Sequence, residues 1–277
     1  MNWDQLDWHI LDRLREQFLR GAPGDYWRSA ADLANYDFTF AQRIGWKWDA
    51  VLAELDRLGW RPPPGPVLDW GCGSGIAGRR VCEHFGLAPR RVFDRSTLAM
   101  AFAGGERWRR EPPGVLVLSH VLNELREPPA VIEQAEAVLW VEPGTFADSR
   151  ALIAVRETLR DRFHIVSPCT HRAPCGITGS DWCHFFAEPP KGVLADPNWV
   201  RFAQRAGIDL RSLPYSYLVL DRRPFAADGA RVIGEPRRYK GYAKALLCEA
   251  TGVRDTMIQK RDRPLKTIRS GTLLTLP

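Results

Sequence analysis

Three cysteines fall within fifteen positions of SPCTHRAPCGITGSDWCHF, residues 167–185, spaced Cys169-x5-Cys175-x7-Cys183 with His171 and His184 among them. Thiolate and imidazole are soft ligands for transition metals, so metal binding is the first chemistry this stretch could do. The spacing is not the paired C-x2-C of most structural zinc sites. Its prolines and glycines would instead let the chain wrap something wider than one ion. Iron–sulfur clusters are held by Cys thiolates, four in the common case. Cys72 and Cys82 belong to a separate glycine-rich stretch, which leaves Cys248 as the fourth thiol. Zinc completed by His171 or His184, and buried thiols without metal, are the other readings. Disulfides do not suit a chain of 277 residues, which can build a core without staples.

A second chemical feature is VLDWGCGSGIAG, residues 67–78. Asp69 closes a strand, and Gly71, Gly73 and Gly75 make the turn into a helix. Glycine lets the backbone approach a ligand and take up positive φ. Gly73, Gly75 and Gly78 also satisfy the dinucleotide pattern G-x-G-x-x-G. Asp69, two residues ahead of Gly71, makes the better match D-x-G-x-G-x-G, which resembles motif I of class I S-adenosylmethionine-dependent methyltransferases. Asp94, 25 residues beyond Asp69, ends the next strand, where a carboxylate can accept both ribose hydroxyls. A ligand-free turn is the bland alternative, and Cys72 between the glycines reads as a small buried residue.

Chemistry in such a fold sits at a strand's carboxyl end, here VLVLSHVLNEL. Amino-methylating enzymes of the class place Asn or Asp, Pro-Pro and an aromatic there; this chain has Ser119-His120-Val121-Leu122. Cytosine C5 methylation needs a cysteine nucleophile, and neither Cys72 nor Cys82 lies near that strand end in sequence. The Lys-Asp-Lys-Glu set of ribose methyltransferases has no evident counterpart. His120 reads as a residue on the cofactor shelf, or as a base. Cofactor binding is supported and methyl transfer is not.

The elements that must position these residues show in the apolar spacing. Leu6, Ile10, Leu11, Leu14 and Phe18 recur at helical steps up to Gly21, and Trp48, Val51, Leu52, Leu55 and Leu58 do so up to Gly59. Pro62, Pro63, Pro64 and Gly65 then end a helical preface. Strands follow at Pro66–Asp69, Arg91–Asp94, Val115–Ser119 and Ala137–Glu142 with helical stretches between them, the alternation of a parallel sheet. After the cysteines, Tyr215–Leu220, Ala230–Ile233, Ala243–Cys248 and Thr256–Lys260 read as short strands of an antiparallel extension. We therefore place a helical region at 1–62 and a Rossmann-like α/β domain at 63–221 with a Cys-rich insertion near 165–190. A basic β extension follows at 222–277.

The formal charge of +6 is uneven: residues 222–277 carry 13 Lys/Arg and 5 Asp/Glu, and the rest of the chain 26 and 28. A basic block of this kind suits a polyanion, nucleic acid above all, or is a solvated surface. Arg237, Arg238, Lys240 and Lys244 are its densest part. No apolar run is long enough to span a membrane. The acidic N-terminal stretch argues against a mitochondrial presequence, and no secretory h-region is present. The expectation is a soluble, monomeric, cytoplasmic bacterial protein.

Taken in order, VLDWGCGSG, LSHVLNEL, LWVEPGTFADSRALIAVRETL, PCTHRAPC, DWCHF and RRYKGYAKALLC resemble the small-ribosomal-subunit assembly factors with a methyltransferase-like fold. These comprise mitochondrial members and bacterial relatives. The resemblance runs from about Asp69 to Cys248 and does not reach the first sixty residues. It implies a class I methyltransferase-like sheet that binds S-adenosylmethionine or S-adenosylhomocysteine around Asp69, Gly71, Gly73, Gly75, Asp94 and His120. It also implies a 4Fe–4S cluster on Cys169, Cys175, Cys183 and Cys248, and association with the small subunit through rRNA in assembly or translation. Active rRNA methylation is the rival expectation.

Overall fold

The computed structural model describes residues 1–20, 26–261 and 265–275. Among the described residues three α-helices precede the sheet: α1 (Trp8–Arg20), α2 (Ala30–Phe38) and α3 (Phe40–Arg57). Helix α2 carries no marked apolar stripe and escapes a periodicity reading. Ser29 caps it by accepting from the Asp32 amide. Asp32, itself buried, pairs with Arg13 of α1 at 2.7 Å. Helix α3 starts eight residues before Trp48. Its Trp48, Val51, Leu52 and Leu55 are at most 1% exposed and share one core with strands of the central sheet. Burying each such aliphatic side chain is worth about 1.5–3 kcal/mol, so the preface is part of the main core.

Strands β1 (Val67–Trp70), β2 (Arg90–Phe93), β3 (Glu106–Arg107), β4 (Val115–Ser119) and β5 (Ala137–Pro143) pair in parallel in the order β3-β2-β1-β4-β5. Helices α4 (Ile76–Phe85), α5 (Thr97–Ala103) and α6 (Phe146–Leu159) fall between and after them. Order reverses between β1 and β4, and the crevice at such a switch point is where open α/β sheets bind ligands. Beyond β5 come β6 (His164–Ser167), β7 (Phe185–Ala187), α7 (Pro197–Ala206) and β8 (Leu213–Asp221). The segment 168–184 between β6 and β7 has no helix or strand, as its prolines and glycines predict.

The strand expected at Tyr215–Leu220 does not begin the antiparallel extension. As β8 it enters the main sheet, antiparallel to β5 on one side and to β6 on the other. It is buried on both faces, which a run of Tyr, Leu and Val allows and an extension strand with one wet face would not. The extension proper is a second, antiparallel sheet of β9 (Ala230–Arg238), β10 (Tyr242–Glu249), β11 (Gly252–Gln259) and β12 (Leu273–Leu274), ordered β11-β10-β9-β12. Ile233, Leu246 and Cys248 fasten it to the core formed by β4, β5 and α6. Buried Arg231 ties three further parts together, donating to the Pro168 carbonyl at 2.6 Å and the Gly271 carbonyl at 3.0 Å and pairing with Glu54 of α3 at 2.6 Å.

Candidate functional site

The carboxyl ends of β1, β2 and β4 open into a cavity of about 260 Å3 whose lining includes Trp70, Gly71, Gly73, Asp94, Ser119 and His120. The glycine turn is pinned to β2: the amides of Gly71 and Cys72 donate to the Phe93 carbonyl at 2.7 and 3.1 Å. Gly71 and Gly73 take φ of 70° and 50°, where a side chain is disfavoured. A Cβ on Gly71 would also lie 2.6 Å from Val121. Asp94 reaches back over the turn, accepting from the Gly73 amide and from the Ser96 amide, each at 2.9 Å. Trp70 and Phe93 stack at 5.5 Å and give the cavity an aromatic wall.

Asp69 and Gly75 stand elsewhere than the sequence reading placed them. Asp69 is 1% exposed and lies beneath the turn, where it accepts from the Gly78 amide at 3.1 Å. Burial pushes its pKa up to about 7 against the pull of Arg90. Gly78 is needed for this approach, since a Cβ there would stand 2.5 Å from Asp69 Oδ2. Asp69 therefore holds the loop from below, and neither it nor Gly75 lines the cavity.

His120 directly follows β4 with φ of 55°, strained for a residue with a Cβ. Its Nε2 is shielded from solvent and has no hydrogen-bond partner. Burial, then the nearby Lys47 and Arg43, hold its pKa well below the usual imidazole value, so it is neutral. What fixes this turn is a residue that spacing did not single out. Glu142, at the end of β5, accepts from the Val121 and Leu122 amides at 3.1 and 3.0 Å and from the Trp140 indole at 2.6 Å. Burial raises Glu142 to about 7.

The Cys-rich segment packs against α6. Cys169, Cys175 and Cys183 converge on a small cavity of about 30 Å3, and all four cysteines named in the sequence reading join one apolar cluster. Cys169 is held low by a hydrogen bond with Cys248 and by Arg156, and the same contact pushes the Cys248 thiol up. Arg156 is 2% exposed; its Nε stands 3.3 Å from Cys169 Sγ, and its Nη2 donates to the His171 and Ala173 carbonyls, each at 2.9 Å. Glu157 accepts from the Cys175 amide at 3.1 Å, and Ser149 and Ser216 both donate to the Cys183 carbonyl. Arg156 and Glu157 sit inside LIAVRETL, where helical periodicity treats them as surface residues. Neither His171 nor His184 joins the thiols as a ligand would: both ring nitrogens of His171 are unpartnered, and His184 Nδ1 lies 3.1 Å from the Trp182 carbonyl. Among the described residues, no group of three or more His, Cys, Asp or Glu is arranged to hold a metal ion.

The four basic residues Arg237, Arg238, Lys240 and Lys244 are all exposed around the β9–β10 hairpin. Lys244 lies directly across from Arg237 in the ladder. Arg238 is engaged with the Ile268 carbonyl at 2.7 Å. Between them Tyr239 and Tyr242 stack at 4.6 Å, with Tyr239 46% exposed. Cations beside an exposed aromatic ring suit a nucleic-acid strand.

Fold and cleft define an open α/β protein with a ligand crevice at its switch point. The chain belongs to the family described as mitochondrial small ribosomal subunit Rsm22, whose model matches residues 67–270. Solved structures that align with it include the plantazolicin methyltransferase BpumL in complex with SAH, at 14% identity over 78% of this chain and 100% of that one, with a TM-score of 0.42. A chain of the complex between the Haloferax volcanii Trm112 methyltransferase activator and the putative methyltransferase aligns at 13% identity over 72% and 96%, TM-score 0.41. A SAM-dependent methyltransferase from Archaeoglobus fulgidus does so at 14% over 66% and 98%, TM-score 0.31. No curated protein matches significantly. Among the described residues no helix is long and apolar enough to cross a membrane.

Proposed function

We propose that this protein is a factor of the small ribosomal subunit that binds rRNA during assembly or translation, with an adenosylmethionine-type cofactor in the β1–β2–β4 cleft and a 4Fe–4S cluster on Cys169, Cys175, Cys183 and Cys248. The observation that carries it is the meeting of Cys248, on the strand pair bearing the basic hairpin, with Cys169 of the Cys-rich segment. The two segments are about 80 residues apart in sequence. A group bound to all four thiols would fix the hairpin against the core. What supports this part is the neighbourhood of the thiols: Cys169, Cys175 and Cys183 line one small cavity, Cys169 bonds with Cys248, and the buried guanidiniums of Arg156 and Arg231 would offset the negative charge that thiolates bring. The cleft suits an adenosine cofactor through Asp94 for the ribose and Trp70 and Phe93 for an aromatic face. The family description supports the ribosomal partner. Bound S-adenosylmethionine would supply an electrophilic methyl group; this chain's own residues would orient the cofactor.

Anaerobic purification with absorbance, iron and sulfide analysis, together with sequencing of RNA crosslinked to the protein, tests the reading. Brown protein with about four irons and crosslinks to small-subunit rRNA is the expected result. Colourless protein crosslinking to no rRNA would overturn it. One observation favours active rRNA methyl transfer as a second reading: the unpartnered Nε2 of neutral His120 could accept a proton beside the cleft.

A further inference from the structure

A second cavity, of about 570 Å3, adjoins the cofactor cleft, and His120 lines both. This volume is within the range of small-molecule sites. Its walls come from the helical preface and from the turn between β5 and α6, and they include Arg15, Arg43, Lys47, Gly144 and Thr145. Lys47 is 7% exposed and, among the described residues, makes no hydrogen bond or ion pair, a costly state for an ammonium group unless something else pairs with it. Burial, followed by the neighbouring Arg43, pulls its pKa down to about 7. Among the described residues Arg43 likewise makes no hydrogen bond or ion pair, and its Nε is shielded from solvent. The acidic groups nearby are already engaged. Glu124 binds Arg95 and Tyr26, Asp209 binds Arg211, Asp148 binds Thr145, and Glu142, which does not line this cavity, holds the His120 turn through Oε1 and keeps Oε2 buried without a partner. The α6 amino terminus at Gly144 and Thr145 adds its partial positive charge.

We propose that this cavity binds a phosphate ester, its phosphoryl oxygens on Lys47 and Arg43 and its organic part toward His120. A phosphate suits the site because two cations without a partner among the described residues and a helix amino terminus face one volume whose lining carboxylates, Glu124 and Asp209, are already paired with Arg95 and Arg211. The inference does not depend on the cofactor or cluster reading, since phosphate binding can be measured without either.

Calorimetry with inorganic phosphate, uridine 5′-monophosphate and a 5′-phosphorylated RNA trinucleotide tests it, with S-adenosylhomocysteine as a separate titrant. Inorganic phosphate should bind with 1:1 stoichiometry and be displaced by the mononucleotide. Lys47→Gln and Arg43→Gln should each weaken phosphate at least tenfold and leave S-adenosylhomocysteine binding as it was. Tighter binding of the mononucleotide than of the trinucleotide would identify a free nucleotide or similar metabolite as the source; the reverse would identify an RNA nucleotide. Arg43 is only half-buried, so its variant keeps the test decisive if Lys47→Gln does not fold. No phosphate binding, or undiminished binding in Arg43→Gln, would overturn the proposal. So would variants that lose S-adenosylhomocysteine and keep phosphate, because the cations would then serve the cofactor.

Discussion

Glu54 of helix α3 and Arg231 of strand β9 face each other at 2.6 Å, with side chains 5% and 1% exposed. The pair joins the preface, which precedes the family-matched segment, to the second sheet, across 177 residues of chain. Removing one partner of a buried pair leaves the other charge stranded, at a typical cost of about 3–5 kcal/mol. Glu54→Ala should therefore lower stability by about that amount in urea unfolding. The double change Glu54→Leu with Arg231→Met should recover a large part of it. If Glu54→Ala cost under about 1 kcal/mol, the pair would not be what holds these parts together.

Asp94 is the sharpest test of the cleft. On the proposed reading its loss removes acceptors for ribose hydroxyls; it also frees the Gly73 and Ser96 amides. A charge-assisted hydrogen bond contributes about 1.5–3 kcal/mol. Asp94→Ala should thus weaken S-adenosylhomocysteine roughly tenfold to a hundredfold by calorimetry. Unaltered affinity, or a preference for NAD in the wild type, would remove the adenosylmethionine assignment.

Arg237, Lys240 and Lys244 should set the salt dependence of RNA binding. Each phosphate contact releases counterions, so the logarithm of affinity falls linearly with the logarithm of salt concentration. Replacing all three with Ala should flatten that slope by roughly two units, about 0.7 per contact on single-stranded RNA. Tyr239→Ala should weaken binding at every salt concentration without altering the slope, since stacking releases no ions. A triple variant with the parental slope would move the RNA surface elsewhere.

If the four thiols share one cluster, Ser at Cys169, Cys175, Cys183 or Cys248 should cost iron, colour and protease resistance of residues 168–184 together. Ser at Cys72 or Cys82 should leave iron content intact, because Cys72 lines the cleft and Cys82 packs beside α3. Arg156→Met separates ligation from support: it keeps all four thiols and loses the two carbonyl contacts and the contact to Cys169. Iron should then bind but leave faster to a chelator. One stoichiometric zinc in colourless protein would defeat the cluster.

Asp69 and Glu142 are both raised to about 7 by burial. The folded state therefore binds more protons than the unfolded chain between about pH 4 and pH 7. Stability contributed by the protonated carboxyls is full below pH 4 and is lost as pH rises through 7. Each group can contribute a slope of up to about 1.4 kcal/mol per pH unit in that window. Asp69→Asn and Glu142→Gln should each flatten it in unfolding curves taken from pH 4.5 to 7.5. Unfolding curves with no pH dependence in the parent would refute the shifts.

The cleft was legible because its requirements are local. A turn that needs left-handed backbone writes itself as Gly71 and Gly73, and the spacing from Asp69 to Asp94 spans one strand, helix and strand. What supports the cleft was not legible. Glu142 reads as the last residue of a strand, and only its reach across to the Val121 and Leu122 amides gives it a part in the site. Lys47 looks like an ordinary polar position on an amphipathic helix, and only the fold brings it to one cavity with the turn before α6. The placement of β8 was missed for a related reason. Its apolar run suits a strand of either sheet, and pairing with β5 is decided by contacts some 75 residues away in sequence. Arg156 was hidden by helical periodicity, which assigns it no partner. The cysteine spacing showed that the thiols could converge, while their support from α6 came from a residue type that composition counts as surface.

Helix α6 begins at the wall of the 570 Å3 cavity and ends among the cysteines, with Thr145 before its first turn and Arg156 in its last. Fourteen helical residues make a strut about 21 Å long. Its interior holds no proline or glycine at which it could bend. The two ends cannot shift along the axis independently. A ligand that drew the amino end toward Lys47 would move Arg156 relative to the Cys169 sulfur by a comparable displacement.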